Sequence, residues 1–245
     1  MSNKKIEVKN VSKKIGKRII LDNVSFDVYE GDICGFIGPN GAGKTTMIRL
    51  ITNLISATGG EAFIDGVNVE KDRQNALLKL GAIVEEPIFF PYMSGRKNLE
   101  NLAILNPDMS KAEQREKVEE VLKIVDLQDR GDDKVKTYSL GMKQRLGIAQ
   151  ALLNNPEVII LDEPANGLDP IGMRTLRNLI FKLQKEKNIT FFISSHLLDE
   201  LQQLCNIFIV INKGKIIWQG NKAELEGISE SGKLEDSFVK LVSGC

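Results

Sequence analysis

Residues 38–50 read GPNGAGKTTMIRL, and they follow residues 33–37, ICGFI, a continuously apolar run. Downstream, Met47, Leu50, Ile51 and Leu54 recur at i, i+3, i+4 and i+7, which predicts a helix starting near Gly43. A buried strand, a glycine-rich turn and a helix therefore meet within some twenty residues. The turn fits GxxxxGK[ST], a phosphate-cradling loop in just this context. Without side chains at Gly41 and Gly43, backbone N–H groups can turn inward toward phosphate oxygens. Gly38, Pro39, Asn40 and Ala42 complete the loop, and the helix adds the positive end of its dipole. Lys44 can reach β- and γ-phosphates, the Thr45 hydroxyl can ligate Mg²⁺, and Thr46 can assist at the α-phosphate. The implied ligand is a nucleoside triphosphate with Mg²⁺.

The composition narrows the rest. The chain has 245 residues, with 33 Lys+Arg against 33 Asp+Glu, so its formal charge is zero. A dedicated nucleic-acid binder needs clustered cations, and none is expected here. Cys34, Cys205 and Cys245 lie far apart and outside any CxxC spacing. Cys34 and Cys205 sit inside apolar runs, where they are expected to act as small hydrophobes, and the expected compartment is reducing. The opening MSNKKIEVKN lacks the apolar stretch of a signal peptide, and no apolar run approaches the ~20 residues of a membrane span. The closing Ser-Gly-Cys does not fit a prenylation box. Any tie to a membrane is expected to come through a partner.

Residues 24–29 alternate apolar and polar, as a half-buried strand would. From about 87 to 153 the pattern turns helical and charged. Ser110 and Glu113 have capping-box spacing, and Val118, Val121, Leu122 and Val125 mark one helical face. Strands resume afterwards without a Pro/Gly/Ser-rich linker, so this reads as a lobe inserted in one domain spanning residues 4–245. Residues 158–161 and 189–193 read as strands. Leu176, Leu179, Ile180 and Leu183 mark one helix, and Leu197, Leu201 and Leu204 another. Residues 207–211 and 216–219 flank the turn 212–215, and the last 25 residues read as one small surface helix. Alternating strands and helices imply a mainly parallel α/β core, with extra antiparallel strands near the start.

Asp162 and Glu163 end the strand at 158–161. Asp162 is placed to hold Mg²⁺ through its water shell, and Glu163 to polarise an attacking water. Solvated acids at a strand end would look the same in isolation. No N-K-x-D box occurs at Asn212 or Asn221, so ATP is expected over GTP.

Residues 138–145, YSLGMKQR, follow the cradle by about a hundred residues. With cradle, acidic loop, YSLGM, acidic strand end, NGLD and Ser-Ser-His in this order, the chain resembles the ATPase subunit of ATP-binding cassette (ABC) transporters. The resemblance implies a P-loop NTPase with a RecA-like parallel core, an N-terminal antiparallel β layer and an inserted helical lobe. It also implies a second copy paired head to tail, each ATP lying between one copy's cradle and the other's signature. Ser139 and Gly141 would begin a helix aimed at the γ-phosphate across that interface, or Ser139 would serve only as a helix cap. Asp169, in residues 166–169, would touch the partner. His196, the chain's one histidine, would contact the γ-phosphate and orient water beside Glu163. Catalysis would then rest on Glu163, His196 and Lys44.

Three departures from the family pattern stand out. Glu85 replaces the usual glutamine that touches Mg²⁺ and senses the membrane partner, and a carboxylate cannot donate a hydrogen bond as an amide does. Alternatively it is a solvated loop acid. Leu140 replaces a signature glycine. Ile15 occupies the place of the adenine-stacking aromatic. Glu85 with Glu86-Pro87, together with YSLGMKQR, is similar to the branch that exports bacitracin or lantibiotics and protects their producers. The implied role is an ATPase on the inner face of the cell membrane, driving a separate permease. A soluble ABC ATPase outside transport is the alternative. Phe89, Phe90 and Tyr92 would meet the permease or pack the lobe's own core.

Overall fold

The computed structural model describes residues 3–196 and 198–243. Leu197 of the predicted helical face and Cys245 lie outside the described residues.

Two sheets organise the described residues. The first is antiparallel, in the order β2-β1-β4-β5, from β1 (Lys4–Ile15), β2 (Arg18–Tyr29), β4 (Gly59–Ile64) and β5 (Val67–Asn68). The second has the order β10-β9-β3-β8-β7-β6. It joins β3 (Ile33–Ile37), β6 (Leu80–Ile83), β7 (Val158–Asp162), β8 (Thr190–Ser195), β9 (Ile207–Asn212) and β10 (Lys215–Asn221). All neighbours in it run parallel except β9 and β10, which form a hairpin. Every residue of β3, β7 and β8 is buried, which explains the apolar runs 33–37, 158–161 and 191–193 within them. In the hairpin turn Lys213 (φ 47°) and Gly214 (φ 78°) both take positive φ, as a two-residue I′ turn requires.

Between the sheets lies one core layer. Ile6, Val8, Val24, Phe26 and Val28 of the antiparallel sheet face Phe36, Phe192 and Met47. The Phe26 and Phe192 rings stack at 5.6 Å, with Phe36 5.1 Å from Phe192. Such ring pairs contribute about 0.5–1.5 kcal/mol beyond burial of their area. Met47 belongs to α1 (Lys44–Ile51), which ends sooner than its spacing predicts: Leu54 is 57% exposed. Asn53 takes φ 50°, its N–H donates to the Leu50 carbonyl, and the Leu54 N–H donates to the Arg49 carbonyl. This left-handed C-terminal cap satisfies the last carbonyls and turns the chain away.

The opposite face of the parallel sheet is covered by helices. These are α3 (Gly95–Ala103), α4 (Lys111–Ile124), α5 (Leu140–Ala151), α6 (Pro170–Lys187) and α7 (Leu198–Gln202). Ser110 and Glu113 form the capping box of α4, and Val118, Val121, Leu122 and Val125 are buried as their spacing predicts. Here α5 lies so close to β6 that a Cβ on Gly81 would sit 2.6 Å from the Ala151 carbonyl oxygen. The C-terminal stretch forms two helices, α8 (Lys222–Glu226) and α9 (Leu234–Ser243), where the sequence suggested one. Both are anchored, α8 through Leu225 and α9 through Leu234 and Ser237, all buried.

A charge cluster ties the two sheets together. The Lys5 ammonium of β1, itself buried, donates to Asp65 (2.8 Å) and to Glu157 (2.6 Å), just before β7. Lys79 reaches the same two acids from the segment between β6 and the short helix α2 (Arg73–Leu78). Hydrogen bonds from Lys5 hold Asp65 below its ordinary 3.8, and those from Lys5 and Lys79 hold Glu157 below its ordinary 4.5. Burial pulls the Lys5 ammonium down, but its bonds to the two acids leave it raised. Lowered carboxylates stabilise the fold above their unfolded pKa, and this contribution disappears as pH falls through the folded values. The raised Lys5 contributes fully below its unfolded pKa and loses that contribution at strongly alkaline pH. The melting temperature is therefore expected to be flat between about pH 5 and 9 and to fall below about pH 4. Lys5→Met should lower the plateau and flatten the acid limb, checked by thermal melts across pH; an unchanged acid limb would contradict the assignment.

Candidate active site

The carboxyl ends of β3, β7 and β8 converge on the glycine-rich turn. Gly43, in the left-handed region (φ 111°), precedes α1 and supplies no side chain to cap it. The first-turn amides of a helix have no intrahelical partner, so they point into the space above the turn. Close packing also demands glycine here. A Cβ on Gly38 would lie 2.3 Å from the Ile211 carbonyl oxygen, and one on Gly43 2.8 Å from Leu21 Cδ2. Gly214, in the β9–β10 turn, donates its N–H to the Ala42 carbonyl (3.0 Å) and braces the loop from outside.

Lys44 is buried yet fully partnered. Its Nζ donates to the Gly38 carbonyl (2.8 Å) and the Pro39 carbonyl (3.4 Å), and lies 3.5 Å from Glu163 Oε1. Phosphate oxygens arriving in the loop would offer this ammonium stronger, charged acceptors. The loop, Thr45, Thr46 and Glu163 line a cleft of about 530 Å³.

Asp162, 4% exposed, ends β7 opposite Ser194 of β8. The Ser194 hydroxyl donates to Asp162 Oδ1, and the Glu163 N–H donates to the Ser194 carbonyl and hydroxyl oxygens. Glu163 itself takes φ 48°. A non-glycine residue in that region costs about 1–3 kcal/mol, and such strain concentrates at functional sites. The turned backbone brings Glu163 Oε2 to 3.0 Å from His196 Nδ1. Both side chains are about 30% accessible, so water can reach the carboxylate. Lys44, Glu163 and His196 thus form one contiguous group, with Asp162 adjacent.

The other predicted residues stand elsewhere. Ser139 caps α5, accepting from the Met142 N–H at 3.3 Å, and Asp169 caps α6, accepting from the Gly172 N–H at 2.6 Å. Ser139, Gly141 and Asp169 share a second groove of about 350 Å³ that has no lining residue in common with the cradle cleft. Glu85, in the left-handed region (φ 66°) just past β6, pairs with Arg49 of α1 and not with the Lys44–Glu163–His196 group. Of the aromatic trio, Phe89 packs on the core, whereas Phe90 (53%) and Tyr92 (62%) are exposed.

Sequence reading missed several contributors. Ser194 reads as an ordinary strand residue until β7 and β8 are paired. Arg18, Ile19, Ile20 and Lys213 line the cradle cleft, and Ile15 does not. Lys213 carries a signal only as part of a hairpin turn, and nothing in the sequence brings that turn to the loop. Burial pushes the Cys34 and Cys205 thiols up, in keeping with hydrophobic packing.

The donor set suits Mg²⁺ carried by a nucleotide. That ion usually keeps phosphates and waters as ligands with only one or two protein oxygens, which Thr45 and Asp162 can supply. Among the described residues no group of three His, Cys, Asp or Glu gathers to hold a metal alone.

Comparison with known proteins places the chain in a family. The ABC transporter family model matches residues 21–166. An uncharacterized ABC transporter ATP-binding protein, YhcH of Bacillus subtilis, is 48% identical over 86% of this chain and 68% of its own. The bacitracin transport ATP-binding protein BcrA of Bacillus licheniformis is 45% identical over the same shares. The lantibiotic transport ATP-binding protein SrtF of Streptococcus pyogenes is 39% identical over 92% of this chain and 94% of its own. Among solved structures, cbiO1 of Clostridium perfringens superposes with a TM-score of 0.85 at 25% identity, covering 98% of this chain and 95% of that one. The cassette MJ0796, in a dimeric post-hydrolysis state bound to ADP and Pi, gives 0.77 at 29% identity, covering 88% and 98%. On the strength of that match and those alignments, the chain belongs to the ABC transporter family and is an ATP-binding subunit of it.

Proposed function

We propose that this ABC ATPase cleaves MgATP within a head-to-tail pair of its own chains and drives a separate membrane permease that exports a peptide antibiotic or confers immunity to one. The observation that carries the reading is the division of the site. Lys44 and Glu163 line the cradle cleft with His196 in contact with Glu163, while Ser139, Gly141 and Asp169 line another groove. One chain alone offers each ATP half of its expected surroundings, and a second copy supplies the remainder. Residues 4–245 act as one domain, in which 87–153 is the lobe that carries Ser139 to the partner.

The chemistry follows from charge and position. Lys44 and the loop amides hold the phosphates, and Mg²⁺, when bound through Thr45 and Asp162, offsets their charge. Glu163 accepts the proton of the attacking water, and His196, in contact with its carboxylate, keeps that acceptor aimed. Across the interface, the amino end of α5 at Ser139 and Gly141 meets the γ-phosphate.

Docking on the inner membrane face would use the loop after Glu85. Ile88 (91% exposed), Phe90 and Tyr92 form an apolar surface, with the last two rings 5.8 Å apart. Exposed apolar patches of this kind mark interaction sites. Among the described residues no helix is long and apolar enough to cross a membrane. The peptide cargo rests on the likeness to BcrA and SrtF. Co-expression with a permease encoded beside the gene should bring the chain into the membrane fraction and raise resistance to bacitracin or a lantibiotic several-fold. A purely soluble pool with unchanged resistance would contradict the transport role.

A further inference from the structure

The Arg49–Glu85 pair spans two elements that the proposed mechanism otherwise leaves unconnected. Ile83 of β6 is paired with Leu161 of β7, and Glu85 and Glu163 stand at matching distances beyond that pair. The acidic loop therefore emerges on the same sheet edge as Asp162. Arg49 follows Thr45 by one helical turn on α1, so the two share a face of that helix. Glu85 thus sits at the same end of the sheet as Asp162, with its carboxylate on a guanidinium one helical turn beyond Thr45. Its left-handed backbone (φ 66°) is the kind of conformation that accompanies switching segments. Both partners are largely solvated, at 42% and 60% exposure. An ion pair this exposed is weak enough to be exchanged.

Building on the MgATP reading above, we propose that Arg49 is a positioning residue that competes with the nucleotide-bound divalent cation for the Glu85 carboxylate. In one position Glu85 is neutralised on α1; in the other it adds a negative oxygen to the metal. A glutamine at 85 could still accept a hydrogen bond from the guanidinium but would bring no charge to attract it or the cation, so the carboxylate gives this exchange its grip. Because Glu85 leads through Glu86 and Pro87 into Ile88 and Phe90, either position also sets where the apolar loop begins.

The test uses the whole chain with Mn²⁺ as probe, at saturating non-hydrolysable ATP analogue, free Mn²⁺ being read by electron paramagnetic resonance. Arg49→Met should tighten Mn²⁺ binding about 2- to 5-fold, the equivalent of releasing an exposed ion pair. Arg49→Lys should keep the parent affinity, and Arg49→Met with Glu85→Gln should lose the gain. Unmoved affinity in Arg49→Met, or a gain that survives in the double variant, would overturn the competition and leave the ATPase reading intact. A parent chain that held no nucleotide at all would overturn the ATPase reading itself, and this competition with it.

Discussion

Glu163→Gln is expected to reduce steady-state ATP hydrolysis by about 10²- to 10⁴-fold, the usual contribution of a positioned general base. The substitution keeps shape and one hydrogen-bonding oxygen but removes the proton acceptor. Glu163 is partly exposed and its turned backbone is held by N–H bonds to Ser194, not by its own carboxylate. The fold should therefore persist, and the His196 contact can survive through the amide. Losing the negative charge 3.5 Å from Lys44 leaves that ammonium with the Gly38 and Pro39 carbonyls, so nucleotide binding should be retained or tightened. Phosphate release and fluorescent-nucleotide titration on one preparation separate the two effects. Hydrolysis within about threefold of the parent would remove Glu163 from the base role.

Much of this site could be read before any fold was known, for a physical reason. The phosphate loop compresses its chemistry into consecutive residues, and the flanking strands are buried on both faces, so their apolar runs are uninterrupted. Longer-range devices left fainter traces. β1 hides its alternation because Asn10, at φ 51°, bulges the strand and shifts the register between Val8 and Val11. The end of α1 is decided by Asn53, a residue that caps only when the following backbone bonds form. Ser194 gains its role from lying opposite Asp162, and Lys213 from a hairpin turn pressed against the loop. Glu85 shows the limit most plainly. Its place in the motif order predicts metal contact, yet its carboxylate lies on Arg49, thirty-six positions away.

The second groove carries the largest consequence. Ser139 and Asp169 are helix caps within the chain, and caps alone would explain both residues. The dimeric reading asks more of them: each α5 start must close over a neighbour's cradle when MgATP binds. Two of the structural neighbours, at 29% and 30% identity, are dimeric cassettes. Trapping needs the hydrolysis-deficient chain, since turnover would reopen the pair. Ser139→Cys and Asn40→Cys, placed on separate Glu163→Gln chains with Cys245→Ser, supply one thiol on each side of the expected contact. Cys34 and Cys205 are buried and should not compete. Upon mixing, oxidation should yield a Ser139→Cys to Asn40→Cys cross-linked dimer only when MgATP is present. Cross-linking between two Ser139→Cys chains instead, or no nucleotide-dependent cross-link at all, would contradict the head-to-tail pairing.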